Sequence, residues 1–246
     1  WGFDGELLKA WNDDAANLAL MLEADAEDGD GGDGDAEEGD RFELYVPDAV
    51  FASDNEWDVP TLKADLQANF LEMPFVKWGD GPRTQRMRGT YHFYTEDYKF
   101  EALWDDPLNL VNSQCVAIVE PNTSTNEQMP MAVGLWRIYC KRWMARYMQE
   151  FGVKVWVDLA VAPRFRELNL LGVPQGWLSY ATRGLDKQID ALDGDYAVAC
   201  ERAGQEPRFL VYGGGKATEE FCKGRGWLWL PENMRVKSGK AEANYG

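Results

Sequence analysis

The sequence predicts an α/β protein: a parallel sheet of about five βα units, as an open sheet or a partial TIM-like barrel, behind an acidic α+β N-terminal portion. Three observations carry this expectation. From Cys115 onward, five short apolar runs alternate with segments of helical character. The first of them, Cys115-Val-Ala-Ile-Val119, is short, continuous and rich in branched side chains, as strands buried on both faces are. The charge is also divided: residues 1–80 hold 22 acids and 4 bases, whereas residues 81–246 hold 20 acids and 21 bases.

A chain of 246 residues can bury a sizeable core. The pattern divides it into an acidic N-terminal portion (1–80), an α/β body (81–232) and a polar basic tail (233–246). In the first portion, Leu7, Leu8, Trp11, Leu18, Leu20 and Met21 have the spacing of an amphipathic helix. Residues 25–40 contain only Asp, Glu, Gly and Ala, with nine acids and no base, which predicts a flexible acidic loop. Its Asp-Gly alternation does not fit the spacing of a calcium-binding loop. Phe42–Val46 reads as a strand and Val59–Leu71 as a helix with Pro60 in its first turn. Gly79-Asp-Gly-Pro82 is a turn cluster at the expected boundary.

In the body, Tyr91–Tyr94 is an aromatic strand and Tyr98–Trp104 a short helix. Strand Cys115–Val119 is halted by Glu120-Pro-Asn-Thr-Ser-Thr-Asn126, and Pro130 opens a helix over Met131–Phe151. Strand Val153–Val157, a short helix near Arg164–Leu168 and strand Trp177–Ala181 follow. Helix Leu185–Arg202 should stop at Gly204. Strand Phe209–Tyr212, helix Ala217–Lys223 and strand Trp227–Leu230 complete the series.

Several function classes are excluded by residue type. The single histidine, His92, rules out a two-histidine metal motif, an HExxH site and a zinc finger, and its aromatic strand suits a structural role. Cys115, Cys140, Cys200 and Cys222 form no CxxC pair and suit reduced, buried thiols of a cytosolic-type compartment. No run of about 18 apolar residues predicts a membrane span. A start at Trp1 implies trimming, which would conceal a secretory leader.

In parallel α/β proteins ligands bind beyond the carboxyl ends of the strands. That rim would carry Glu120, Asn122, Thr123 and Ser124, then Asp158, then Thr182 and Arg183, then Gly213, Gly214, Gly215 and Lys216. Glu120 and Asp158 are candidate catalytic residues, since paired carboxylates divide acid and base roles or hold a divalent cation; the plainer reading is that each caps a turn. The glycine-lysine turn follows a strand and opens a helix, so its N–H groups could cradle an anion, although no Walker frame is present. Two basic groups are candidate phosphate contacts: Arg83, Arg86 and Arg88, and on the long helix Arg137, Lys141, Arg142 and Arg146 interleaved with aromatics. The plainer reading makes the aromatics core and the bases a solvated face.

The body resembles the phage- and plasmid-borne family catalogued as domain of unknown function 4417. The resemblance rests on Tyr91-His-Phe-Tyr-Thr-Glu-Asp-Tyr98, Val119-Glu-Pro-Asn-Thr-Ser124, Trp136-Arg-Ile-Tyr-Cys-Lys-Arg-Trp143, Gly172-Val-Pro174, Ala181-Thr-Arg-Gly184 and Leu210-Val-Tyr-Gly213. Against the family pattern, Asn122 stands where an aspartate is usual and Asp158 where an asparagine is usual. The resemblance implies a mobile-element setting and a parallel α/β body. It supplies no activity, so no catalytic role is carried over.

Together these readings predict a mobile-element protein that binds or acts on nucleic acid in replication or processing. The alternatives are a virion-associated or host-directed interaction protein, whose acidic portion meets a protein partner, and an enzyme with a small anionic substrate. The expected location is the host cytoplasm, or a virion, without membrane association.

Overall fold

Short apolar runs with period-two alternation can bury both faces only if one face meets helices and the other meets the sheet's own inner side. The structure, a computed structural model, describes residues 51–79 and 87–232 and builds that arrangement. Seven strands pair in chain order: β1 (Phe75–Lys77), β2 (Thr90–His92), β3 (Ala117–Val119), β4 (Lys154–Asp158), β5 (Ser179–Arg183), β6 (Arg208–Tyr212) and β7 (Leu228–Leu230). Every neighbouring pair is parallel. Spatial order equal to chain order, with right-handed crossovers, puts all connections on one face.

The sheet curls. Phe75 on β1 and Tyr212 on β6 have ring centroids 5.8 Å apart, and His92 on β2 lies 4.2 Å from Tyr212. In a flat sheet, β1 and β6 would be roughly 24 Å apart, five spacings of about 4.8 Å. The result is a half-barrel with two apolar layers. Phe75, Val119, Trp156, Ala181, Leu210 and Leu230 fill the inside. Ile118, Val155, Val157, Tyr180, Phe209 and Val211 face outward onto the helices.

Those helices are α1 (Ala102–Asp105) and α2 (Leu108–Asn112) between β2 and β3, and α3 (Met131–Glu150) between β3 and β4. α4 (Asp190–Ala203) lies between β5 and β6, and α5 (Lys216–Arg225) between β6 and β7. Single 3-10 turns at Pro163–Phe165 and Leu168–Leu170 join β4 to β5. Gly204 ends α4 as expected, its N–H donating to the Cys200 carbonyl at 2.9 Å.

The parallel α/β class is as expected, with seven strands where about five were read, β1 among them. One expectation is corrected: the helix over Val59–Leu71 is a single 3-10 turn, Ala64–Leu66. Its backbone groups are taken by distant partners instead. Leu62 N–H donates to the Gly172 carbonyl (2.8 Å), Ala68 N–H to the Val155 carbonyl (3.0 Å) and Lys63 N–H to Gln149 Oε1 (2.7 Å). Leu178 N–H donates to Gln67 Oε1 (2.7 Å) and Arg208 Nε to the Ala68 carbonyl (3.2 Å), so this segment seals the amino end of the half-barrel. The strand at Phe42–Val46, the helix at Leu7–Leu22, the loop 25–40 and the tail 233–246 lie outside the described residues.

Gly172 holds the seal. Its φ is +71°, and a Cβ there would meet the Pro60 carbonyl oxygen at 2.0 Å. Gly172→Ala should lower unfolding free energy by roughly 1–3 kcal/mol, measured by denaturant titration; an unchanged midpoint would show that the segment is not held this way.

Candidate functional site

β3 and β4 run in register, with Val119 opposite Trp156, so the residues that follow them reach the same level of the sheet. Glu120 N–H donates to the Trp156 carbonyl (3.0 Å) and Asp158 N–H to Glu120 Oε2 (3.1 Å). α3 crosses outside this point and turns Lys141 and Arg142 inward. All four charged side chains, Glu120, Asp158, Lys141 and Arg142, are 0 % exposed. Arg142 Nη1 donates to Glu120 Oε1 (2.5 Å) and Nη2 to the Asn169 carbonyl (2.6 Å). Lys141 Nζ donates to the Asp158 carbonyl (2.8 Å) and to Asp158 Oδ2 (3.1 Å), and lies 4.0 Å from Glu120 Oε2.

The Asp158 carboxylate has no acceptor position left. Oδ1 accepts from the Tyr94 hydroxyl (3.0 Å) and Ala160 N–H (3.2 Å); Oδ2 accepts from Asn122 Nδ2 (3.0 Å) and Lys141. Burial raises the Glu120 pKa and lowers that of Arg142, and the attraction between the two opposes both shifts. Burial followed by the Asp158 charge pushes Tyr94 well above an ordinary phenol, so it remains a donor. The expected carboxylate pair does come together, but inside a closed charge cluster. Asn122 and Asp158 touch each other, Asn122 Nδ2 donating to Asp158 Oδ2.

The open space lies beside this cluster. A cavity of about 330 Å³ is lined by Lys77, Tyr94, Thr95, Glu96, Ser124, Arg183, Tyr212 and Glu232. These residues end or follow β1, β2, β3, β5, β6 and β7, so the cavity is the carboxyl-end mouth of the half-barrel. Tyr94 and Tyr212 stack at its floor, 5.4 Å apart and 9° from parallel. Beneath them His92 packs on Phe75 (4.4 Å) and Tyr212; burial, then the charges of Lys77 and Arg183, lower its pKa to about 3, so it is a neutral packing group. Arg183 Nη2 donates to Glu232 Oε1 (3.2 Å). Glu96, held near a pKa of about 2 by Lys99, its own backbone N–H and Thr95, adds a second carboxylate.

Of the residues singled out from sequence, Ser124 and Arg183 reach this mouth. Lys77, Tyr94, Thr95, Glu96, Tyr212 and Glu232 were missed; each follows or ends an apolar run, which was the available signal. Ser124 N–H and Oγ donate to Asp97, as does Arg137 Nη1 (2.6 Å). Thr123 is buried, its hydroxyl 3.4 Å from the Arg137 carbonyl. Thr182 is also buried and donates to Asp195 Oδ2 (2.8 Å).

The glycine turn does cradle a carboxylate, but one of the chain's own. Asp186 Oδ1 accepts from Gly215 N–H (2.7 Å), Thr218 N–H (3.1 Å) and the Thr218 hydroxyl (2.6 Å). Those donors lower its pKa. Gly213 and Gly214 lead into this turn, and Lys216 points to solvent beside Glu220 (3.6 Å).

The long helix requires a correction. Lys141 and Arg142 are sealed in the cluster, Arg137 is paired with Asp97, and Arg146 pairs with Glu150 while lying over the Phe51 ring. Its bases therefore form no free phosphate-binding stripe. Arg88 is exposed; Arg83 and Arg86 lie outside the described residues. Among the described residues, no group of three or more His, Cys, Asp or Glu could hold a metal ion, and no helix is long and apolar enough to cross a membrane.

Residues 51–192, more than half of the chain, match the family described as a domain of unknown function (DUF4417). The chain belongs to the DUF4417 family. Two relatives are phage proteins. The Gene 1 protein of Mycobacterium phage L5 is 29% identical over 121 residues, 47% of this chain and 51% of the relative. The Gene 1 protein of Mycobacterium phage D29 is 27% identical over 143 residues, 55% of this chain and 52% of the relative. The chain thus spans about half the length of the curated relatives it matches. No solved structure matches. The DUF4417 match ends before β6, so Tyr212 and Glu232 at the mouth lie beyond it.

Two stability measurements probe the site. Arg142→Ala leaves Glu120 buried without its partner and should cost about 3–5 kcal/mol. Combining Glu120→Gln with Arg142→Met should cost less than that single change in denaturant titrations; an equal or larger cost would show that the ion pair is not the reason. Asp195, buried under Thr182 and 3.2 Å from Arg166, has its pKa raised by burial to about 6. A raised folded-state pKa favours the fold fully below the unfolded value, near 3.9, and that contribution is lost as pH rises through about 6. The stability of Asp195→Asn relative to the parent should therefore rise between pH 4 and 6, and a flat difference would contradict the assignment.

Proposed function

We propose that this protein binds nucleic acid of the mobile element that carries it, in a step of replication or processing, and receives a phosphate at the mouth of the half-barrel. One observation carries the reading: Lys77 from β1 and Arg183 from β5 both line an open cavity floored by stacked Tyr94 and Tyr212. Cations beside aromatic rings suit a phosphate with its attached nucleoside. The cavity, about 330 Å³, lies at the small end of the range for ligand sites. The buried cluster of Glu120 and Asp158 supports the mouth rather than facing a ligand, so the reading commits to binding and assigns no catalytic step.

A second reading, an interaction protein, is favoured by the start of α3, where Met131, Val133 and Trp136 are exposed. The two separate in one experiment: full-length protein titrated with 5′-phosphorylated single- and double-stranded oligonucleotides across a salt series. Nucleic-acid binding predicts a dissociation constant on the order of micromolar at low salt, with a steep loss as salt rises. Arg183→Ala should weaken binding and reduce the salt slope by about one. No binding at low salt, or an unchanged slope, would retire this reading in favour of the interaction protein.

A further inference from the structure

The mouth already contains an anion. Glu232, which follows β7, points a carboxylate oxygen at Arg183 Nη2 (3.2 Å), with the two side chains 42% and 45% exposed. The same oxygen lies over Gly213, whose φ is +84° and where a Cβ would come within 2.9 Å of it. The backbone thus turns aside, without a side chain, where this carboxylate sits. Asp186 in the neighbouring glycine turn is different in kind. It accepts three hydrogen bonds from the turn and from α5, and is part of the fold.

Glu232 holds its place loosely. Among the described residues its contact with Arg183 is a single hydrogen bond, one oxygen to one nitrogen, although a guanidinium offers five donors in a fork suited to two parallel bonds. A half-exposed ion pair of this geometry contributes little, because solvent screens it and two long side chains must be ordered to form it. A phosphate monoester carries about −1.5 to −2 charge at neutral pH and three acceptor oxygens. It can take the fork bidentately and also meet Lys77, where one carboxylate uses a single donor.

We propose that Glu232 is an exchangeable internal counter-ion of Arg183, and that the group displacing it is a phosphate monoester, of a free nucleotide or of a strand's phosphorylated 5′ end. This rests on the mouth reading above and names the group that the mouth takes. Glu232 then sets a threshold. Neutral ligands and singly charged phosphodiesters gain little by exchanging with it, whereas a terminal monoester gains charge and a second hydrogen bond.

The test uses the full chain, with calorimetric titration of adenosine 5′-monophosphate, adenosine, and one oligonucleotide with a 5′-phosphate or a 5′-hydroxyl. Glu232→Gln should bind the monophosphate about two- to fivefold more tightly than the parent, the range set by a weak surface ion pair. Glu220→Gln, an exposed carboxylate removed from α5, controls for the change in net charge and should leave affinity unchanged. Arg183→Ala should abolish the preference for monophosphate over adenosine. A preference for the 5′-phosphorylated strand over the free nucleotide would assign the site to strand ends, and the reverse to nucleotides. If Arg183→Ala loses binding while Glu232→Gln matches Glu220→Gln, the counter-ion role is wrong and the mouth site stands. If no form binds either phosphate probe at millimolar concentration, the mouth reading falls and this inference with it.

Discussion

Two full positive charges at consecutive positions of one helix, both turned inward, are the constraint on which the rest of this structure depends. Neighbouring helix residues point about 100° apart, so Lys141 and Arg142 can both be enclosed only where α3 is covered on two sides. Asp158, at the end of β4, answers Lys141; Glu120 after β3 and the Asn169 carbonyl answer Arg142. The carboxylates come from strands that must be adjacent and in register. A one-residue slip of β4 against β3 would leave a buried charge without its partner. The helix rotation, the strand pairing and the 3-10 turn around Asn169 are therefore one problem with one solution.

The cluster also supports the mouth. Tyr94 gives its hydroxyl to Asp158 at one end and stacks on Tyr212 along its face, so the cavity floor is anchored to the charges beneath it. Asp97 ties the segment after β2 to the segment after β3 through Ser124, and to α3 through Arg137. The polar groups of the rim thus stand on supports held by packing and hydrogen bonds, which a binding site needs if its geometry is to be kept without a ligand.

Much of this was legible in the sequence, and the failures share a cause. Runs such as Ala117–Val119 and Phe209–Val211 declare themselves because burial on both faces leaves no polar position. Phe75-Val-Lys77 does not, being three residues long and ending in a charge. Val59–Leu71 carries apolar residues compatible with a helix; what prevents one is Gln149, Val155 and Gly172, some 80 or more residues away in the chain. α3 was expected one residue longer than it is, and its bases were placed toward solvent because lone charges are seldom buried. Their partners, Glu120 and Asp158, had been noticed separately as rim acids. Local pattern gives the elements; pairwise cancellation of charge across the fold decides which way they face. The glycine turn was read as a turn with an exposed lysine that could also cradle an anion; Lys216 is exposed, and the carboxylate in the turn is Asp186, from another loop of the chain.

The mouth draws its lining from six strand ends, one residue from each except for the three that follow β2. Damage there should accumulate by degrees, since each crossover supplies a fraction of the wall and none carries the sheet. The charge cluster behaves oppositely, because each of its four members is the counterweight of another. A lineage can therefore alter the lining of the mouth by small, separable steps at the loops, while the layer below permits change only in matched pairs.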